Sequence, residues 1–460
     1  MGDATMKWFW ARIAVGVGLL AVLGGLVWWG WSAASARVGG GPIVVGILHS
    51  RTGPMAVSER GVIDATVLAL EEINQGGGIL GREVRWVIAD GASDETTFAR
   101  EAARLIDDEG VSVLFGCWTS ASRKAVRPVV EQRDHLLIYP VQYEGCEESP
   151  NIVYLGAAPN QQIIPAVAWA MEHLGRSFYL VGSDYIFPRV ANTIIRDQVE
   201  ALGGEIAGEA YLPLGESDVS EVVARIVAAK PAAILNTING ETNAPFFEAL
   251  SQAAGPGDPI PTISFSVGEP ELRQLGLPKS MAGHYAAWNY FESLDRPSNR
   301  AFLSAFRARY GPDRSLGDPM EAAYCGVALW ARAVAEAGNE HPREVRREMQ
   351  RQSLDAPEGI VSIDPETQHA WKVVRIGRAR PDGQFDVVWT SGRPIRPIPF
   401  PLFRSQAEWE RLVDDLGRSW GGRWSNPGRS IEFVRAEADR EGADAGLATP
   451  SAEGAEADQL

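Results

Sequence analysis

Residues 43–48 read IVVGIL, an unbroken apolar run that ends at the polar residues His49 and Ser50. A short run between polar residues is typical of a strand that is buried on both faces of a parallel sheet. A similar run, FYLVG, recurs at residues 178–182 after a series of alternating helical and strand-like segments. Two successive series of this kind predict an α/β fold with two parallel-sheet lobes and right-handed crossovers.

The composition is that of a globular protein with an excess of acidic residues. The 460 residues are 45% hydrophobic and 22% charged, which excludes a disordered chain, and the net charge is −16. Such a surface repels phosphate groups, so we expect neither nucleic acid nor anionic lipid as a partner of the folded body. The three cysteines lack metal-knuckle spacing. Cys117 and Cys146 form either one disulfide in an oxidising compartment or two small buried thiols.

The N-terminus has the pattern of an export signal. Lys7 and Arg12 precede an apolar run at residues 13–31, which suits either the core of a signal peptide or a short membrane-spanning helix. Because basic residues keep their end of such a segment in the cytoplasm, both alternatives export everything after Arg37. The length of the run and its tryptophans favour an uncleaved anchor. We therefore expect a periplasmic or other extracytoplasmic body, tethered to the inner membrane by an N-terminal helix.

Polar and aromatic residues cluster where four of the predicted strands end. These segments are residues 116–124, 139–145, 182–189 and 237–243. In open parallel sheets, ligands bind beyond the carboxyl ends of the strands. Each segment alone is weak evidence, because turns favour Asn, Asp and Gly in any protein. Two such segments in each lobe nevertheless predict one binding site between the lobes.

The sequence carries none of the common catalytic motifs. It has no Walker loop, no His-Glu-x-x-His and no Gly-x-Ser-x-Gly elbow, and its six histidines are scattered. His49 is the only histidine at the end of a predicted strand, and we interpret it as structural. We therefore predict a binding protein and not an enzyme, with no catalytic residue, no cofactor and no metal site.

Six strings of the sequence resemble those of the type I periplasmic binding proteins. They are residues 45–50, 116–124, 139–145, 158–162, 182–189 and 237–240, within a resemblance that extends from about residue 43 to residue 403. The strings are most similar to those of urea transporter binding proteins and of related short-amide-sensing proteins, and Trp118 and Val141-Gln142 favour the urea branch. The resemblance implies two Rossmann-like lobes joined by three crossings, with the ligand enclosed between them.

The resemblance also implies a set of ligand-binding residues. Urea is planar and has one acceptor and four N–H donors. Aromatic faces, a hydroxyl near its C=O group and amide oxygens near its NH₂ groups would satisfy it. By motif match, the first lobe would supply Trp118, Thr119, Ser120, Tyr139, Gln142 and Tyr143, and the second would supply Tyr185, Asn239 and Gly240.

The pattern of segments and the resemblance together divide the chain into five parts. Residues 1–40 hold a cytoplasmic tip, the signal peptide or anchor, and a linker. The first lobe takes residues 41–158 with 288–353, and the second takes 159–287 with 354–403. A C-terminal extension covers residues 404–427, and an acidic tail at 428–460 is expected to be disordered because apolar residues are few there.

Three functional hypotheses remain open at this point. The first is an extracytoplasmic solute-binding protein that captures urea or a short amide for an ABC-type importer, with the membrane permease as its partner. The second is a membrane-anchored sensory ectodomain that reports the same ligands to a signalling partner, although no signalling domain follows in the sequence. The third is an exported hydrolase, for which no nucleophile–base pair is visible.

Overall fold

The first lobe is built on a five-stranded parallel sheet. The structure, a computed structural model, describes residues 40–254 and 259–434. In chain order the elements are β1 (Ile43–His49), α1 (Ala56–Gln75), β2 (Val84–Asp90), α2 (Glu95–Asp107), β3 (Leu114–Gly116), α3 (Ser120–Gln132), β4 (Leu137–Tyr139) and β5 (Ile152–Tyr154). The strands lie in the order β2-β1-β3-β4-β5. Ile43 pairs with Val84 and His49 pairs with Asp90, so the polar ends of β1 and β2 meet at one edge of the sheet.

The second lobe repeats the same β-α alternation. Its first elements are α4 (Ile163–His173), β6 (Ser177–Ser183), α5 (Ile186–Ala201), β7 (Glu205–Leu212), α6 (Ser220–Ala229), β8 (Ala233–Thr237), α7 (Asn243–Ala254), β9 (Thr262–Ser264), α8 (Glu269–Gln274) and β10 (Tyr285–Trp288). Strands β6 to β10 pair in parallel. Their central residues are buried on both faces, as the continuous apolar runs require.

The chain then returns to the first lobe. The elements there are α9 (Pro297–Tyr310), α10 (Asp318–Ala337), α11 (Pro342–Met349), β11 (Ser353–Ala356), β12 (Gly359–Ile363) and β13 (Ala370–Trp371). Strands β11 to β13 form a small antiparallel sheet. Val361, Ile363 and Ala370 from this sheet pack into the same core as Ile43 of β1. The sequence-based boundary at residue 353 is therefore too early. Residues 354–371 belong to the first lobe, because the apolar side chains of their strands pack against its core.

The last crossing brings the chain back to the second lobe. Strands β14 (Arg375–Ala379) and β15 (Phe385–Thr390) form the hairpin that the turn at residues 381–383 predicts, and β14 pairs antiparallel with β10. The crossings lie between β5 and α4, between β10 and α9, and between β13 and β14. The predicted α/β fold of two parallel-sheet lobes joined by three crossings is confirmed.

The C-terminal extension belongs to the second lobe. Helix α12 (Gln406–Ser419) places Trp409 and Val413 in the core of that lobe, and strand β16 (Glu432–Val434) pairs antiparallel with β7. The prediction that disorder begins at residue 428 is thus wrong for residues 428–434. The ring of Phe433 lies 3.7 Å from the guanidinium carbon of Arg225, a contact that composition alone could not indicate. Residues 435–460 lie outside the described residues.

Two further predictions concern the N-terminus and the cysteines. The apolar run at residues 13–31 lies outside the described residues, and its role as a signal peptide or an anchor stays a prediction. No helix within residues 40–254 and 259–434 is both long enough and apolar enough to cross a membrane. Cys117, Cys146 and Cys325 are buried free thiols, which decides against a disulfide between the first two. Burial raises the pKa of each thiol.

Candidate functional site

The carboxyl ends of the strands of both lobes face one cleft, and the lobes are closed over it. From the first lobe, the Gln142 Nε2 donates to the backbone oxygen of Phe265 in the second lobe at 2.8 Å. Gly240, in the loop after β8, lies so close to the first lobe that an added Cβ would stand 2.7 Å from the backbone oxygen of Pro54. Tyr185, at the start of α5, packs in one apolar cluster with Ala121 of α3. The predicted segments therefore do converge.

Two backbone N–H groups at the start of α3 are free to hold an oxygen atom. Cys117 has φ +66°, and this left-handed residue turns the chain sharply from β3 into the helix. Thr119 caps the helix by accepting from the N–H of Ser122 at 3.1 Å. Ser120 and Ala121 are buried, and within the described part of the chain their N–H groups have no acceptor. The first N–H groups of a helix need such a partner from outside it.

Two buried side-chain polar atoms at the strand ends also lack a partner. Gln142 is 3% exposed, and its Oε1 has no hydrogen-bond partner among the described residues. His49 is fully buried, and its Nδ1 lies 3.0 Å from the Oε2 of Glu59. Because a carboxylate can only accept, Nδ1 carries the proton of this contact. In the described chain, Nε2 has no partner either. A buried atom without a partner at the lobe interface is a candidate contact for a ligand or a water molecule.

The His49–Glu59 pair was missed by sequence reasoning, which interpreted His49 as structural. The only sequence signal was the position of His49 at the end of a strand. Glu59 lies ten residues later, inside α1, and also accepts from the backbone N–H of Ser50 at 2.7 Å. This contact folds the first turn of α1 back onto the strand end. Such a pairing depends on the angle between β1 and α1, which residue spacing does not reveal.

The predicted aromatic residues of the first lobe have different positions. Tyr139 and Trp118 lie at the cleft end of the sheet, where the Tyr139 hydroxyl donates to the Trp118 backbone oxygen at 2.7 Å. Tyr143 instead points into the lobe. Its ring stacks on that of Tyr154 at a centroid distance of 5.2 Å, and its hydroxyl oxygen lies 3.1 Å from the backbone oxygen of Glu147. The structure thus places Tyr143 behind the cleft-lining loop, and a direct ligand contact remains only a sequence-based expectation.

A buried network of four charges supports this wall of the cleft. The Arg123 Nε donates to the Oε1 of Glu147 at 2.9 Å, and its Nη2 donates to the Oε1 of Glu144 at 3.2 Å. The Lys124 Nζ donates to the Oε2 of Glu147 at 2.9 Å. The Arg123 guanidinium also lies 4.4 Å from the ring centroid of Tyr143. Burial raises the pKa of Glu147, but the neighbouring cations outweigh burial and hold that pKa well below its usual range.

The second lobe closes the cleft with Tyr185, Asn239 and Gly240. Burial raises the pKa of the Tyr185 hydroxyl, and the nearby Tyr139 and Glu144 of the first lobe raise it further. The Asn239 backbone N–H donates to the Oγ of Ser183 at 3.0 Å, which holds the loop after β8 against β6. Thus all nine predicted residues lie at the strand ends or in the loops that form the closed interface, and the side chain of Tyr143 points away from it.

Acid should destabilise the protein through His369, which lies beside this network. The Tyr143 hydroxyl donates to the Nε2 of His369, and the Nδ1 of His369 donates to the Thr367 backbone oxygen at 2.6 Å. Burial lowers the pKa of His369 to about 4. Because the pKa of His369 is lower in the folded protein than its ordinary value of 6.5, the unfolded chain takes up a proton first as the pH falls. The stability that neutral His369 contributes to the fold is therefore complete above pH 6.5 and is lost as the pH falls towards 4. The contribution amounts to about 2 kcal/mol between pH 7.5 and pH 5.

Guanidinium unfolding at pH 7.5 and at pH 5 checks this expectation. The His369→Gln variant should lose less stability between the two values than the unchanged protein does. His341→Gln, at an exposed histidine, is the control and should behave like the unchanged protein. An identical pH response of His369→Gln and the unchanged protein would contradict the assignment.

Two α/β lobes that close over buried, unpartnered hydrogen-bonding atoms are typical of solute-binding proteins. A family model described as "Periplasmic binding protein domain" matches residues 43–406, and the chain belongs to this family. It is a periplasmic solute-binding protein, and not an enzyme.

The similar proteins include binding proteins for several kinds of small acid. "Leu/Ile/Val-binding protein homolog 6" of Brucella melitensis is 24% identical over 74% of this chain and 86% of its own length. A leucine-, isoleucine-, valine-, threonine- and alanine-binding protein of Pseudomonas aeruginosa is 23% identical over 72% of this chain and 88% of its own length. A solute-binding protein of R. palustris, solved with 4-hydroxybenzoate, is 24% identical, with a TM-score of 0.69 over 76% of this chain and 96% of its own.

One partial match has the name of an enzyme. "Limonene hydroxylase" of Geobacillus stearothermophilus is 32% identical over 145 residues, which are 30% of this chain. The chain spans only 26% of that relative's length. A match of this extent transfers no activity, whereas the binding-protein matches cover most of both chains.

Proposed function

We propose that this protein captures urea or a short-chain amide in the cleft and delivers it to an ABC-type permease. The observation that carries the proposal is the set of unpartnered buried atoms. Two are donors, the N–H groups of Ser120 and Ala121, one is an acceptor, Gln142 Oε1, and the fourth is the ring nitrogen His49 Nε2. An amide has one strong acceptor and an NH₂ group, so it can satisfy both the free donors and the free acceptor.

The energetics favour a small ligand with this pattern. An amide removed from water without hydrogen-bond partners loses several kcal/mol, so each of its polar atoms needs a counterpart in the site. The protein has the same requirement, because its own buried polar atoms are unsatisfied until a ligand contacts them. The tight approach of Gly240 to Pro54 leaves a small ligand as the better fit, since a larger one would hold the lobes apart.

Calorimetry with the full-length chain tests the proposal. We expect binding of urea, acetamide or formamide without release of ammonia, and no binding of leucine or 4-hydroxybenzoate. Gln142→Met removes both the free acceptor and the interlobe hydrogen bond to Phe265 at nearly constant volume, and it should weaken binding by about tenfold or more. Gln198→Met, a buried glutamine within the second lobe, is the matched control. Binding of leucine alone would overturn the proposed ligand.

A further inference from the structure

Glu144 lies where the first turn of α3 meets the cleft-lining loop. Its side chain is fully buried, and it accepts hydrogen bonds from the Oγ of Ser120 and from the Nη2 of Arg123. The Lys124 Nζ lies 3.9 Å from the Oε1 of Glu144. The carboxylate is therefore held beside the same helix N-terminus whose free N–H groups belong to Ser120 and Ala121.

The N-terminus of a helix attracts anions, because its N–H groups and the helix dipole both favour negative charge. A ligand carboxylate would normally gain from this position. In this protein, a carboxylate of the chain itself already lies there. A neutral carbonyl oxygen can still accept from the N–H groups of Ser120 and Ala121, since it brings no charge next to Glu144.

The charges of the buried network sum to zero. Arg123 and Lys124 are matched by Glu144 and Glu147, and all four side chains are nearly inaccessible to water. Arg127 is half-exposed, pairs with Glu131 at 2.9 Å and lies 3.6 Å from Glu147, so its charge is already shared by two carboxylates of the chain. A bound carboxylate would add a buried anion beside Glu144 and Glu147, whose charges Arg123 and Lys124 already balance, and burying an unpaired charge is strongly unfavourable.

We propose that Glu144 is a specificity-determining residue, which makes the cleft selective for neutral ligands and excludes carboxylates. The inference rests on the proposed function, in that it concerns the same cleft, and it explains how this protein differs from relatives named for amino acids. Glu144 acts by its charge and position, next to the helix N-terminus that the ligand oxygen would approach.

Matched acid–amide pairs test the inference on the full-length chain. The probes are acetate with acetamide, propionate with propionamide, and benzoate with benzamide, each measured by calorimetry at pH 7.5. The unchanged protein should prefer the amide by about 100-fold or more in at least one pair and should prefer the acid in none. Glu144→Gln keeps the size of the side chain and the contact with Ser120. It should bind acids more tightly and reduce this preference by about tenfold.

The control is Glu148→Gln, which makes the same charge change on the same loop at an exposed position outside the network. It should keep the preference of the unchanged protein. An unaltered preference in Glu144→Gln, or an acid that binds the unchanged protein as tightly as its amide does, would overturn the inference. The comparison of acid and amide binding by the unchanged protein needs no variant, so it tests the inference even if Glu144→Gln fails to fold. Binding of benzamide over benzoate without any binding of urea, acetamide or formamide would support the inference and overturn the proposed ligand.

Discussion

Replacing Arg123 by methionine is expected to lower the free energy of unfolding by about 3–5 kcal/mol. The guanidinium is fully buried and donates to Ser120, Glu144 and Glu147. Methionine fills most of the volume but leaves two buried carboxylates with Lys124 as their only fully buried cation. The cost comes from the two desolvated carboxylates, which lose the hydrogen bonds that Arg123 donates to them.

Denaturation by guanidinium chloride measures this loss, and urea must be avoided because it is a candidate ligand. Arg127→Met is the matched control, on the same helix and one turn away. Arg127 is 39% exposed at its side chain, and its pair with Glu131 and its longer contact with Glu147, at 3.6 Å, should each contribute about 1 kcal/mol or less. Equal losses in the two variants would mean that Arg123 stabilises the fold by packing alone.

Replacing Gly240 by alanine is expected to weaken ligand binding by about tenfold or more, because it opposes closure of the lobes. The residue has φ +67°, and its Cβ would stand 2.7 Å from the Pro54 backbone oxygen and 3.0 Å from the sulfur of Met55. Both neighbours belong to the first lobe, and a backbone oxygen cannot move aside. The lobes must therefore open slightly to admit the methyl group.

Gly203→Ala separates this closure effect from backbone strain. Gly203 has φ +72° in a turn of the second lobe, and the nearest atom to its added Cβ would be the Nη2 of Arg176 at 3.7 Å. Both variants should lose about 1 kcal/mol of stability from the left-handed conformation. Only Gly240→Ala should bind urea more weakly by calorimetry and show a larger radius of gyration by X-ray scattering with ligand present. Equal ligand affinities in the two variants would mean that the methyl group at residue 240 does not oppose closure of the lobes.

The fold could be predicted from sequence because its signals are local. The apolar run at residues 43–48 and its counterpart at residues 178–182 each form a strand buried on both faces, as their composition requires. The glycine and proline turns between segments placed most helices and strands within a few residues. The boundary at residue 353 and the disorder from residue 428 were wrong, since each depended on where a short, ambiguous segment finds its partner.

The candidate site was only partly visible in the sequence. Strand ends must meet at one edge of a parallel sheet, so the loops at residues 116–124 and 237–243 were identifiable as neighbours. Their side-chain directions were not, and Tyr143 turned into the lobe interior whereas Gln142, one residue earlier, reached the other lobe. Adjacent residues in a loop take opposite directions according to the contacts available to each.

The sequence by itself determined the two-lobed α/β fold, the export pattern and the general place of the cleft, because hydrophobic periodicity and strand ends are properties of neighbouring residues. Only the tertiary structure decided which polar groups satisfy one another. His49 found Glu59, Arg123 found Glu144 and Glu147, and Gln142 was left with a free acceptor. Such pairings depend on which separate segments the fold brings together in its interior. An unpaired charge or hydrogen-bonding atom raises the free energy of the folded state most when it is buried there.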